Sequence, residues 1–275
     1  MKAPANPIFS ILQSPQSRII AMVPEAFDAL MVSGFSRKSK APESRQGASR
    51  GMHDSLVEIS QDFGIAVVTV KGIITPYADD LWWECAVDPR GLANTLRQLA
   101  GRGDLKTIVL HIDSPGGHAL GLIELAAAMA QVRERVQLVA YGDKLIASAA
   151  YWAAAGCDAI FAAPSAAIGS IGVYCPIYTF EKYLKNLGVK LHLFRDGDLK
   201  GLGLFGKELT PEESAHIDEG VQKISRQFKG YVRERRGAVA DDTMRGQCHD
   251  GDECVALNLV DGNYHSLSEL VSDLM

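Results

Sequence analysis

Two consecutive glycines in the run DSPGG could supply backbone donors to a developing oxyanion. Gly116 and Gly117 follow an apolar, β-branched run at Thr107–Ile112 and stand where a helical pattern begins. Glycines allow a tight turn between strand and helix, which leaves N–H groups free at the positive end of the helix dipole. Such groups stabilise the oxygen that becomes negative when a nucleophile attacks a carbonyl. The alternative is that DSPGG is only a strand-to-helix turn.

Ser148 is the candidate nucleophile. It stands among alanines in the run KLIASAAYW, at the start of a predicted helix and after the predicted strand Val136–Tyr141. Catalytic groups gather where parallel strands end, which is also where the DSPGG loop is expected. Taken alone, a serine between alanines is a small packing residue.

A nucleophilic serine needs a base, and the sequence offers histidines and lysines. None of the seven histidines falls in the segment just after Ser148, and each has an ordinary core, surface or loop explanation. A lysine kept neutral by burial can also accept the serine proton. Lys200 and Lys207 lie in a glycine-rich loop that follows a predicted strand, although most lysines are simply solvated surface charges.

The elements that must position these residues alternate between strand and helix, which predicts an α/β fold with a mostly parallel sheet and flanking helices. A capping box at Thr210 and Glu213 marks the start of the longest helix. The predicted strands are Ile65–Val70, Thr107–Ile112, Val136–Tyr141, Ala159–Ala162 and Val189–Phe194. The predicted helices are Gly91–Ala100, Gly117–Val132, Ala147–Ala155, Thr179–Asn186 and Pro211–Arg235.

Composition excludes several classes of protein. The chain has 275 residues, of which 47% are hydrophobic and 22% charged, so it is neither disordered nor a coiled coil. The formal net charge of -5 gives no general case for nucleic-acid binding. Residues 36–50 are basic and poor in apolar side chains. We therefore predict an arm with a basic linker over residues 1–54, including a short amphipathic helix after Pro24 within Ile19–Val32, and one catalytic-type domain over residues 55–275.

Five scattered cysteines and the amino-terminal sequence predict a cytoplasmic protein. The cysteines are odd in number and form no CxxC pair, which favours reduced thiols and predicts no metal site. Polar residues at positions 13–18 interrupt the apolar core that a signal peptide needs. The longest apolar stretch, Leu145–Pro164, is interpreted as a buried helix and strand, so no membrane span is expected.

Five ordered segments carry a resemblance to a known family. The run DSPGG is followed by Ala147–Ala162, Ala163–Val173, Asp196–Glu213 and finally ECVALNLVDG. Together they resemble the signal peptide peptidase A family of Ser–Lys peptidases, over roughly Ile65 to Gly262. The resemblance implies a crotonase-like fold related to the Clp protease subunit, formation of a homo-oligomeric ring, and peptide-bond hydrolysis without a cofactor.

The resemblance also implies roles for individual residues. Ser148 matches the family nucleophile, and Lys200, 52 positions later, matches its general base. Ser170 matches a serine that orients the lysine amine, while Gly116 and Gly117 match the oxyanion loop. Lys207 does not align with the base and is interpreted as a surface residue. Ala149 and Ala150 depart from the glycines that usually follow the family nucleophile.

Residues 14–31 are similar to the start of phage and prophage members of this family, which mature phage heads. That similarity implies a location in the bacterial host cytoplasm and portal or scaffold proteins as substrates or partners. Two other functions stay open at this level: a catalytically silent head-assembly factor, and a crotonase-type acyl-CoA enzyme. The latter chemistry typically uses paired carboxylates, which these motifs do not place.

Overall fold

The computed structural model describes residues 20–22, 57–60, 63–77 and 86–275. Its strands, in chain order, are β1 (Ile20–Met22), β2 (Val57–Ser60), β3 (Ile65–Lys71), β4 (Ile73–Ile74), β5 (Ala86–Val87), β6 (Thr107–Asp113), β7 (Gly116–His118), β8 (Gln137–Gly142), β9 (Leu145–Ala147), β10 (Ala159–Ala162), β11 (Ala167–Gly169), β12 (Cys248–Asp250) and β13 (Gly262–Asn263). Its helices are α1 (Pro89–Ala100), α2 (Leu122–Arg133), α3 (Ala149–Ala155), α4 (Glu181–Asn186), α5 (Pro211–Arg236), α6 (Gly251–Ala256) and α7 (Leu267–Asp273).

A six-stranded sheet forms the centre of the described domain. Its strand order is β13-β10-β8-β6-β3-β2, and all neighbours are parallel except β2, which runs antiparallel to β3. Two smaller sheets, β1-β7-β4-β5 and β12-β11-β9, extend from the ends of these strands. The prediction of an α/β fold with a mostly parallel sheet and flanking helices is therefore confirmed.

Helices cover both faces of the central sheet. Alternate residues of a strand point to opposite faces, and in β6 Leu110 belongs to the larger core while Val109 belongs to the smaller one. The larger core contains residues of α1, α2, α3 and α5, and the smaller one contains Leu270 of α7. Trp152 of α3 stacks on Phe228 of α5 with ring centroids 4.7 Å apart. This contact fixes the short helix that begins just after Ser148.

Two predicted elements are wrong, and one strand was not predicted. Residues 117–118 belong to strand β7, and the helix expected from Gly117 begins only at Leu122, because Gly121 adopts a positive φ of 89° before it. Residues 189–194 are described outside any strand, because none of the described strands lies beside them. Residues 20–22 form the unpredicted strand β1, since β7 offers them a pairing edge. The helix expected after Pro24 lies outside the described residues.

The segment between residues 176 and 208, which we call the α4 arm, stands away from the central sheet. It contains α4 and Lys200, and most of its side chains are exposed. Phe194 is 93% exposed. Within the arm, Thr179 Oγ1 donates to Glu208 Oε2 at 2.9 Å, and the rings of Phe180 and Phe205 lie 5.0 Å apart. The arm is thus held by local contacts and presents apolar surface to its surroundings.

Candidate active site

Ser148 is buried at the junction of β9 and α3 in a strained conformation. Its φ of 57° and ψ of −117° are rare for a residue with a side chain, and its exposed fraction is 1%. Its N–H donates to the carbonyl of Gly169 at 2.7 Å, and its carbonyl accepts from Trp152 N–H at 2.9 Å. Its hydroxyl donates to Gly172 O at 3.4 Å, which is a long contact. Strain of this kind is concentrated at functional sites.

Hydrogen bonds tie the DSPGG loop directly to the strand that carries Ser148. Ser114 N–H donates to Leu145 O at 2.8 Å, and Ala147 N–H donates to Ser114 O at 3.1 Å. Ser114 therefore forms a parallel bridge with Ile146 between the two segments. The structure brings the loop and the candidate nucleophile together, and Ser114 is a positioning residue that the sequence did not single out.

The two glycines of the loop are needed for different reasons. Gly116 has a φ of 93°, which favours glycine, and its N–H donates to Ser114 Oγ at 3.2 Å. Gly117 passes so close to β4 that a Cβ atom there would lie 1.8 Å from Ile74 O. The backbone of β7 therefore runs against β4 with no room for a side chain at this position.

Ser170 occupies the place equivalent to Ser148 on the neighbouring strand. Strands β9 and β11 are parallel, and Ala147 pairs with Gly169, so the next residue of each strand is a serine. Ser170 has a φ of 47°, is 5% exposed and donates its N–H to Gln247 O at 2.7 Å. The structure therefore brings the two candidate serines side by side at one edge of the fold.

Lys200 lies apart from these serines in the isolated chain. Its residue is exposed, and its carbonyl accepts from Arg195 Nη1 at 3.4 Å. In the part of the chain that the structure describes, no hydrogen bond joins Lys200 to Ser148. Leu204 and Phe205, which follow it closely in sequence, are 40% and 51% exposed, so they do not bury the lysine within one chain.

Lys207 is an ion-pair partner of a buried carboxylate, which corrects its interpretation as a surface residue. Its ammonium contacts Glu213 Oε2, and Glu213 is 1% exposed. Arg195 Nη1 donates to Glu213 Oε1 at 3.2 Å, and Thr210 N–H donates to Oε2 at 3.0 Å. The pKa of Glu213 is lowered to about 2 by hydrogen bonds from Lys207, from Thr210 N–H and then from Arg195. Glu213 is thus a capping residue and an anchor for both ends of the Lys200 loop.

The run GLGLFG just after Lys200 has the spacing of a dinucleotide-binding loop but not its surroundings. Gly201, Gly203 and Gly206 have φ values of 85°, 68° and 86°. A dinucleotide fingerprint follows a strand and opens a helix. Here the preceding residues form no strand, and the next helix begins only at Pro211. These glycines shape the loop that carries Lys200.

His118 is a buried residue that sequence reasoning passed over. It ends β7, directly after Gly116 and Gly117, and is 3% exposed. Among the residues that the structure describes, neither ring nitrogen finds a hydrogen-bond partner, and the ring meets Tyr77 edge-on with centroids 5.7 Å apart. Burial lowers the pKa of His118 to about 4. Tyr77 also lines a groove of about 540 Å³ beside α1.

His118→Phe is expected to remove part of the acid sensitivity of the fold. Because the pKa is lowered in the folded chain, the unfolded chain takes up the proton first, and stability falls as the pH drops from about 6.5 to about 4. That shift corresponds to about 3 kcal/mol. Urea unfolding should therefore show that the free energy of unfolding falls less between pH 7 and pH 4 for His118→Phe than for the wild type.

The exposed His216 provides the control for this measurement. His216→Gln should lose as much stability between pH 7 and pH 4 as the wild type. Equal acid sensitivity of His118→Phe and the wild type would contradict the burial of a neutral imidazole.

No group of three or more His, Cys, Asp or Glu side chains in the described parts of the chain is arranged to hold a metal ion. No helix of these parts is both long and apolar enough to cross a membrane.

The chain is similar in sequence to a known family and to individual proteins. Residues 130–274 match the model of peptidase family S49. The chain is 32% identical over 196 residues to "Probable protease SohB" of Buchnera aphidicola from Acyrthosiphon pisum, covering 70% of this chain and 57% of that protein. It is 30% identical over 162 residues to "Protease 4" of Salmonella typhi, covering 57% of this chain and 26% of that protein.

Among solved structures, a ClpP1 mutant from Listeria monocytogenes aligns with a TM-score of 0.47 and 13% identity, over 74% of this chain and 94% of that one. The chain spans 57% of the length of the first curated relatives that it matches. The matched family region covers residues 130–274, which is more than half of the chain and includes Ser148, Ser170 and Lys200. The chain therefore belongs to peptidase family S49.

Proposed function

We propose that this chain is a serine endopeptidase in which Ser148 is the nucleophile and Lys200 the general base. The observation that carries the proposal is the buried, positive-φ Ser148, whose strand is hydrogen-bonded to the glycine loop through Ser114. A nucleophile beside backbone donors is the arrangement that acyl transfer requires. Membership of a peptidase family supports peptide bonds as the substrate.

The reaction proceeds through an acyl-enzyme. Ser148 Oγ attacks the peptide carbonyl and gives its proton to the neutral amine of Lys200, while backbone N–H groups of the DSPGG loop hold the oxyanion. The lysine then protonates the leaving amine as the C–N bond breaks. Water attacks the ester by the reverse proton path, releasing the acid and restoring Ser148. Ser170 orients the lysine amine.

A second copy of the chain completes this site. A lysine base must be neutral, and burial is what favours the neutral form, yet Lys200 is exposed in the isolated chain. The α4 arm that carries it exposes Leu187, Val189, Leu191 and Phe194. Large exposed apolar patches mark interaction sites. We therefore propose a homo-oligomeric ring in which the arm packs on a neighbour, so that Ser148 and Lys200 meet between subunits.

Phage head proteins are the proposed substrates. The support is the similarity of residues 14–31 to phage and prophage members, in which related enzymes process portal or scaffold proteins. The site of action would then be the cytoplasm of the bacterial host. A catalytically silent assembly factor with the same fold would bind such proteins without cleaving them, and product analysis separates the two.

Cleavage of casein and of a candidate scaffold protein tests the proposal. Ser148→Ala should abolish cleavage while leaving the oligomer mass unchanged, because Ser148 makes one long side-chain hydrogen bond. Ser165→Ala, at an exposed serine on the loop before β11, is the matched control and should cleave as the wild type does. Retained cleavage by Ser148→Ala would refute the nucleophile. A wild type that turns over no peptide would favour the silent assembly factor, and thioester hydrolysis instead would favour an acyl-CoA enzyme.

A further inference from the structure

The strand that carries the oxyanion glycines is paired with the chain's own amino-terminal arm. Strand β7 lies between β4 and β1 in its sheet. It meets β4 through a single parallel pair, Ile74 with Gly117. On its other side β1 runs antiparallel, with Ile20 opposite His118, Ala21 opposite Gly117 and Met22 opposite Gly116. The arm therefore covers the edge of β7 over its full length.

This edge is where a peptide substrate has to approach. In the proposed reaction the scissile carbonyl reaches a backbone N–H group of the DSPGG loop, and the chain on either side of it then runs alongside β7. An unpaired strand edge takes up an extended peptide through main-chain hydrogen bonds. Without β1, the edge of β7 would present such unpaired groups next to Ser148, to which Ser114 links the loop.

We propose that residues 20–22 are an internal ligand of this peptide-binding edge, so that the arm and an extended substrate compete for β7. That the competitor is a peptide substrate rests on the proposed peptidase function. The pairing of β1 with β7 does not depend on it. The preferred occupant is an extended apolar segment, because the chain's own run is IIAMV, followed by Pro24. Proline cannot continue a paired strand, so the occupied stretch is short.

The covalent connection makes three paired residues an effective competitor. A segment tethered to its own site binds as if present at an effective concentration of about millimolar. A free peptide must therefore be present above this effective concentration, or bind β7 more tightly than the arm does. The arm can be displaced, because its three-residue ladder with β7 is weak. The occupied state therefore favours long or tightly held substrates over short peptides.

The test is binding of a fluorescein-labelled peptide of residues 17–25 to full-length chains that all carry Ser148→Ala. One chain has the native arm, a second carries Ile20→Pro with Ala21→Pro, and a third carries Ala48→Pro with Ser49→Pro in the linker as a matched control. Adjacent residues of a strand direct their N–H groups to opposite sides, so the first pair of prolines must remove a donor to β7. Circular dichroism verifies that each chain is folded.

We expect the Ile20→Pro, Ala21→Pro chain to bind the peptide at least about tenfold more tightly than the other two, because its edge is vacant. Hydrogen exchange of the β7 amide that donates to β1 should also be faster in that chain when the peptide is absent. Equal affinity of all three chains, binding by none of them, or unchanged exchange at β7 would overturn the inference. Since every chain lacks the nucleophile, these results are independent of whether the wild type cleaves peptides.

Discussion

Lys200→Ala should lower kcat for peptide cleavage by at least about 10³-fold, as removal of a catalytic group does in other serine peptidases. Alanine cannot accept the Ser148 proton, so the attack on the carbonyl loses its base. The fold should be preserved, because the hydrogen bonds of Lys200 to Gly197 and Arg195 involve its backbone N–H and carbonyl groups, which alanine retains. The measurement is the initial rate of casein cleavage together with the mass of the oligomer.

Lys190→Ala is the matched control for this experiment. Lys190 is another exposed lysine of the α4 arm, outside the glycine-rich loop. Its replacement removes the same charge from the same segment and should leave kcat within about twofold of the wild type, as for most surface changes. Loss of activity in both variants would point to the net charge of the arm, and retained activity in Lys200→Ala would transfer the role of base to another residue.

Mixed oligomers should distinguish a shared site from one within a single chain. If Ser148 of one subunit meets Lys200 of the next around a ring, a Lys200→Ala subunit beside a Ser148→Ala subunit forms one intact site. Random co-assembly at equal amounts should then restore about a quarter of the wild-type sites. If both residues act within one chain, the mixture should be as inactive as either parent.

The parts of the fold that the sequence predicted well are those fixed by local pattern. The run at Thr107–Ile112 is β-branched and buried, and β6 forms there with one further residue. The capping box at Thr210 and Glu213 forms as expected, and α5 begins at Pro211. In both cases the signal lies within a few neighbouring residues, so distant parts of the chain could not change the outcome.

The errors arose where distant contacts decide the structure. Residues 189–194 have a strand-like pattern, but pairing needs a neighbouring strand, and none of the described strands lies beside them. Residues 20–22 pair with β7, nearly a hundred positions away, which no local pattern reports. Lys207 resembled a surface lysine because its buried partner, Glu213, was already explained as a helix cap. A capping box in which the acidic residue is itself buried would have been the available signal.

The residues of the candidate site also differ in how far the sequence could predict them. Residue types and order predicted Ser148 and the two glycines, and the family resemblance added Ser170; the structure brings these residues together at adjoining strand ends. Lys200 was placed by resemblance and stays a prediction, because its surroundings depend on what covers the α4 arm. From the sequence, Glu213, whose carboxylate anchors the Lys200 loop, was recognised only as a helix-capping residue.

Glu213→Gln should reduce both the stability of the chain and the turnover of substrate. The carboxylate contacts Arg195 and Lys207, which lie on either side of Lys200 in sequence, and Arg195 also donates to the Lys200 carbonyl. The amide keeps the size and can still accept from Thr210 N–H, but it cannot neutralise two cations. Because both cations are partly solvated, we expect a loss of about 2 kcal/mol, below that of a fully buried pair.

Turnover identifies Glu213 as a positioning residue rather than a merely structural one. We expect kcat to fall about tenfold to a hundredfold as the loop carrying Lys200 loses its anchor, while KM stays near the wild-type value because the β7 edge is untouched. Glu213→Asp, which retains the charge, should recover part of the lost kcat. Equal reductions of kcat in Glu213→Gln and Glu213→Asp would indicate that the substitutions act through lost packing and not through the carboxylate charge.

Glu212→Gln is the control, since Glu212 is an exposed acidic residue in the same helical turn. It should change neither kcat nor the free energy of unfolding appreciably. The pH dependence gives a further check. The pKa of Glu213 is lowered to about 2, so its stabilisation is present above about pH 4.5 and is lost as the pH falls towards 2. The difference in unfolding free energy between wild type and Glu213→Gln should therefore shrink over that interval, and a constant difference would show that the carboxylate charge does not anchor the loop.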